Sequence, residues 1–161
     1  MKHVGPHVST VAKYIVFVLI VGYIALLLLF VGGSRKSFDE VSAAVSRAVD
    51  TDSLSAQDSQ ALKRNFGLNS SDYSGVLYYA SVSGISAEEV LLIQVADRSQ
   101  ISQVTDALEE RVENRQKDFE GYAPEQAELL KNARQTVRGS YIFFVVSENA
   151  DRYMEAFAGS L

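Results

Sequence analysis

TVRGSYIFFVVS, residues 136–147, carries five apolar residues in unbroken succession, Ile142 to Val146. A strand with one wet face alternates polar and apolar side chains. This one does not, so both of its faces need cover. It reads as a single strand, the last and central one of a sheet with helices packed on it. Further back, SGVLYYASV (residues 74–82) is rich in β-branched and aromatic residues and reads as a second strand. Residues 90–96, ending at Asp97, read as a third, with Leu91, Ile93 and Val95 on its more apolar face. A capping-box match from Ser86 to Glu89 competes with strand there. On a regular strand Tyr78 and Tyr79 point to opposite faces, so one joins the core and the other faces out or lines a groove.

Helices fill the remainder. Ser37-Phe38-Asp39-Glu40 fits a capping box, and Phe38, Val41, Ala44, Val45, Ala48 and Val49 follow on one stripe. Residues 50–53 break that helix. A second runs to Asn65-Phe66, with Gly67 as its C-terminal cap. From residue 99 to 119, Ile101, Val104, Leu108, Val112 and Phe119 recur at helical spacing. Arg115 falls on the same stripe. Either its stem covers apolar surface while its head reaches water, or its guanidinium is buried and holds a carboxylate or a ligand.

In FEGYAPEQAELL, residues 119–130, Gly121 is placed to end the long helix and Pro124 suits the first turn of the next. Phe119 and Tyr122 flank the break. The segment reads first as a helix–helix joint with an aromatic clamp, built on Phe119, Gly121 and Pro124. The alternative is a recognition surface on Tyr122 and Gln126. A final helix carries Tyr153, Met154 and Phe157. The order α-α-β-β-α-α-β-α makes an α+β domain, a small antiparallel sheet of about three strands packed with helices.

Ahead of this domain lies YIVFVLIVGYIALLLLFV, residues 14–31, eighteen residues without a charge. At about 1.5 Å per residue it is roughly 27 Å long as a helix, against about 30 Å of bilayer hydrocarbon. Fourteen of the eighteen are Val, Leu, Ile or Phe. Their insertion is favourable by about 4 to 8 kcal/mol as an upper estimate. The expected organisation is a tail over 1–13, a transmembrane anchor over 14–33, a linker over 34–37 and one domain over 38–161. A cleaved signal peptide ending near Val31-Gly32-Gly33 is the rival, opposed by the length of the run and by Arg35 and Lys36 just beyond it. Lys2 and Lys13 on one side nearly balance Arg35, Lys36 and Arg47 on the other, so charge alone leaves orientation open.

Composition narrows the chemistry. The 15 basic residues less Lys2 and Lys13 leave 13 after the apolar run, against all 20 acidic ones, so the domain's net charge is −7. Nucleic-acid binding needs clustered cations, and an acidic domain without a basic stripe does not lie flat on anionic lipid. There is no Cys, hence no thiol chemistry, thiolate-bound metal or lipidated cysteine. Both histidines, His3 and His7, stand in the tail, so a Ser–His–Asp triad within the domain is excluded. No metal or cofactor motif is expected. The adjacent pairs Glu88-Glu89 and Glu109-Glu110 read as solvated side chains, since sequence neighbours point to different faces. The domain holds six tyrosines and no Trp, and exposed Tyr favours recognition. Tyr79, Arg115, Tyr122 and Gln126 form the candidate interaction surface.

FDEVSAAVSRAVD, LKRNFGLNSSDYSGVLYY, FEGYAPEQAELL and GSYIFFVVSENAD, in this order, resemble the uncharacterised bacterial family DUF4358. The resemblance implies short, membrane-tethered or lipoprotein-like proteins of Gram-positive, clostridia-like bacteria, with the domain outside the cytoplasm. This chain departs from the lipoprotein-like members in lacking a cysteine, so its anchor would be the helix itself. The resemblance implies no activity and no catalytic residue. The leading expectation is a single-pass membrane protein whose extracytoplasmic domain is a non-enzymatic interaction or ligand-sensing module. Its partners would be membrane lipid through the anchor, and an envelope protein or small ligand. The alternatives are an envelope enzyme using carboxylates and a cytoplasmic-facing adaptor.

Overall fold

The structure, a computed structural model, describes residues 6–31 and 36–161. The chain divides into two compact units, Met1–Gly33 and Ser34–Leu161.

In the first unit, helix α1 runs Pro6–Val31, with Pro6 at its first position. It starts well before Tyr14, so much of the expected tail is helical. Side chains are described for residues 12–24, and all are exposed. Among the described residues no helix is long and apolar enough to cross a membrane, so the spanning helix expected over 14–33 is not a finding of the structure. The expectations on residues 1–5 and 32–35, among them His3 and the Gly32-Gly33 extension, lie outside the described residues.

The second unit is built on a five-stranded antiparallel sheet in the order β1-β2-β3-β5-β4. The strands are β1 (Leu54–Ala56), β2 (Tyr73–Ser81), β3 (Glu89–Val95), β4 (Arg134–Arg138) and β5 (Tyr141–Val146). The expected three strands become five for two reasons. TVRGSYIFFVVS is a hairpin rather than one strand. Gly139, at φ 63°, and Ser140 make its two-residue turn, a conformation open to glycine and costly to other residues. The other addition, β1, is a three-residue edge strand paired with β2, too short to show a period. The middle of the sheet is therefore β3, and β5 lies between β3 and β4. As the unbroken apolar run requires, every residue of β5 is buried.

Helices cover both faces. On one lie α2 (Phe38–Ala48) and α6 (Ala150–Gly159), packing Val41, Val45, Tyr153 and Phe157 against Val90, Leu92, Phe143 and Val145. On the other lie α3 (Ser59–Phe66), α4 (Gln100–Phe119) and α5 (Pro124–Lys131), packing Leu62, Phe66, Val104, Leu108 and Leu130 against Leu91, Ile93, Ile142 and Phe144. The boundaries follow local chemistry. Ser37 and Glu40 close a capping box on α2. Asp58 caps α3 at its start, and Gly67, at φ 71°, ends it. Strand wins over the capping-box match at Ser86, because β3 begins at Glu89 and pairs on both edges.

Candidate functional site

The chain presents its polar chemistry at one end of the sheet, where the β2–β3 turn meets α3 and α4. Glu89 opens β3 in phase with Leu91, Ile93 and Val95, so its carboxylate points into the core with them and is only 2% exposed. A buried carboxylate requires a cation. Arg111 of α4 supplies it, donating from Nε to Oε1 and from Nη2 to Oε2, each at 3.2 Å. Tyr78 donates its hydroxyl to Oε2 at 3.0 Å and accepts from Asn65 Nδ2 at 2.8 Å. Burial, then the Glu89 charge, pushes the Tyr78 hydroxyl well above the ordinary tyrosine range. The Arg111 guanidinium also lies 5.5 Å from the centre of the Phe66 ring. α3, α4, β2 and β3 thus meet in one polar knot.

One helical turn on, Arg115 donates from Nη2 to the Ser86 carbonyl at 2.9 Å and stacks on Phe119, 4.5 Å from the ring centre. Gln126 of α5 accepts from the Ala87 amide at 2.7 Å. These two bonds tie the β2–β3 turn to the α4–α5 joint. At the joint the Phe119 and Tyr122 rings lie 5.5 Å apart. Pro124 stands at the first turn of α5, and the Tyr122 and Ala123 amides both close on the Phe119 carbonyl. Gly121 is not a left-handed cap: α4 ends at Phe119, and only Gly67 and Gly139 have positive φ among the described glycines.

Two surfaces result. A polar cleft of about 400 Å³ lies beside the turn, lined among others by Arg64, Arg111, Arg115, Ser83, Glu88 and Glu89. Exposed apolar side chains stand on the two loops so tied: Val82, which lines the cleft, is 83% exposed, Ile85 in the same turn 72%, and Tyr122 at the joint 61%. In the Ser34–Leu161 unit only Val137 joins these three as an exposed large hydrophobic among the described residues.

Of the four residues expected to form an interaction surface, the structure brings together Arg115, Tyr122 and Gln126. Tyr79 belongs elsewhere. It faces α2 on the other side of the sheet, half-buried, and donates its hydroxyl to Ser46 Oγ at 3.3 Å. The expectation for Arg115 divides between two residues. The arginine that holds a carboxylate is Arg111, and Arg115 holds a backbone carbonyl. Glu88 and Glu89 are not merely solvated: Glu89 is paired, and Glu88 accepts from Ser147 Oγ at 2.7 Å. Glu89 and Arg111 were missed although their phases are readable. Glu89 shares the parity of Leu91 and Ile93, and Arg111 continues the helical steps Val104, Leu108, Arg111, Arg115.

Among the described residues no group of three or more His, Cys, Asp or Glu side chains is arranged to hold a metal ion. A model of the family described as Domain of unknown function (DUF4358) matches residues 47–147, more than half of the chain. No curated protein and no solved structure matches it.

Proposed function

We infer a function from this chain's own geometry, because the chain belongs to DUF4358, a family whose description assigns no activity. The reading is a protein-docking module on a membrane anchor, with the domain outside the cytoplasm. One observation carries it. Among the described residues of the domain, three of the four exposed large hydrophobics, Val82, Ile85 and Tyr122, stand on two loops tied together through Arg115 and Gln126. Monomers rarely hold most of their exposed apolar side chains on loops tied together in this way without a use for them. Aromatic and Arg side chains at the centre of such a patch are those that dominate binding energy elsewhere.

The anchor rests on the sequence and on the exposure of α1. Ile15, Val16, Phe17, Val18, Leu19 and Ile20 follow one another along the helix, all exposed. A helix apolar all round needs an apolar environment. The carboxylate-enzyme alternative has less support. Its cleft holds Glu88 and Glu89, and both are engaged, one with Ser147 and the other with Arg111.

A photo-crosslinking amino acid at Tyr122, in living cells, tests the docking reading. One discrete adduct is expected, absent when the crosslinker replaces Glu155 on α6 and lost on adding Ile85→Asp. Equal labelling from both positions, or an adduct indifferent to Ile85→Asp, contradicts it.

A further inference from the structure

We propose that the cleft beside the β2–β3 turn takes a carboxylate group of the docked partner, between Arg64 and Arg115. This rests on the docking reading above and names the chemistry it selects. Three observations meet here. Arg115 spends one N–H on the Ser86 carbonyl, while its Nε is buried without a hydrogen-bond partner. A buried N–H lacking an acceptor is a standing cost, which the guanidinium sheds by turning toward an incoming carboxylate oxygen. Arg64, exposed on α3, lines the same cleft and forms no ion pair among the described residues. Finally, the cleft lies against the exposed apolar side chains of the turn, since Val82 lines it and Ser86, next to Ile85, does too.

Charge selects the ligand. Glu89 neutralises Arg111, which leaves Arg64 and Arg115 against Glu88 and a single net positive charge. That suits one carboxylate rather than a doubly charged phosphate. An adjoining cavity of about 310 Å³ shares the three arginines; with Arg111 held by Glu89, Glu110 and Asp118 balance Arg64 and Arg115 on that side. In a domain whose net charge is −7, long-range attraction to an anion is absent, so recognition must come from close geometry. Arginine's fixed fork supplies it. The partner segment is therefore an apolar residue, seated on Val82 and Ile85, beside an Asp, a Glu or a chain terminus.

The test uses the full chain in detergent, labelled with ¹⁵N-arginine, and follows the Nε–H signals. The probe is N-acetyl-glutamate N-methylamide, with its glutamine analogue as control. Saturable movement of the Arg64 and Arg115 signals by the glutamate probe alone is expected. Arg64→Gln, at an exposed position, should weaken that binding about tenfold, the loss of one charge-assisted contact. Equal movement by the glutamine analogue, tighter binding of inorganic phosphate, movement caused by bicelles of anionic phospholipid, or no movement each overturns the assignment. The docking reading fails separately, since the Tyr122 adduct and its loss with Ile85→Asp do not depend on the cleft's charge.

Discussion

Glu89 and Arg111 are where a single residue decides most. Each is nearly shut off from water, with 2% and 17% of the side chain exposed. Arg111→Ala leaves a carboxylate buried without its cation and should cost about 3 to 5 kcal/mol, read from the denaturant midpoint. Glu89→Leu with Arg111→Met removes both charges and should restore most of the loss, as replacing a buried pair by apolar groups often does. If the double variant is as unstable as the single one, the pair is not the reason. Tyr78 adds a pH dependence. Its raised hydroxyl stays protonated in the fold at pH values where the unfolded chain ionises. The native state then holds the extra proton, so stability is full below the ordinary tyrosine value of about 10 and falls as pH rises beyond it. Tyr73 and Tyr141 are raised in the same direction by burial. Tyr78→Phe should therefore flatten the alkaline loss without abolishing it, as urea titrations from pH 8 to 11 would show.

At the scale of elements, the close approach of α2 to β2 is set by a missing side chain. A Cβ on Gly75 would lie 2.3 Å from Cγ of Phe38, and the pairing of β2 with β3 is irregular between Tyr73 and Gly75. Gly75→Ala should destabilise the domain by about 1 to 3 kcal/mol through overpacking. Adding Phe38→Ala should relieve that clash, so the two changes together should cost less than their sum in thermal melts. Additive costs would mean the ring moves aside freely. Most elements were legible because their signals are local: the capping box at Ser37, the glycine cap at 67, Pro124 at a helix start, the unbroken run 142–146. The hairpin at Gly139-Ser140 was readable as a turn dipeptide, but the long apolar run beyond it outweighed that signal. β1 carries no pattern of its own and exists through its pairing with β2. At the site, the aromatic clamp and Arg115 were in the sequence. The Arg111–Glu89 pair joins residues 22 apart, which periodicity places only once strand and helix phases are read together.

For the whole molecule, the proposed function requires a tethered head that presents one end to a partner. Cysteine is absent, so single engineered thiols report without background. Thr51→Cys, in the exposed turn between α2 and β1, should react with an impermeant maleimide in intact cells. Labelling only after lysis would instead place the domain in the cytoplasm, as the adaptor reading requires. Alkaline carbonate should leave the chain in the membrane pellet. Release into the supernatant would remove the anchor.

The proposed docking surface is tested most directly by thiol footprinting at the exposed apolar side chains of the β2–β3 turn. Ile85→Cys and, separately, Glu155→Cys are labelled in cells and again as purified chains, and the rates are compared. The account predicts that the thiol at position 85 reacts severalfold more slowly in cells than after purification, while the thiol at position 155 reacts alike in both. Equal rates at both positions in both settings would mean that nothing covers the turn, and the docking module would be contradicted.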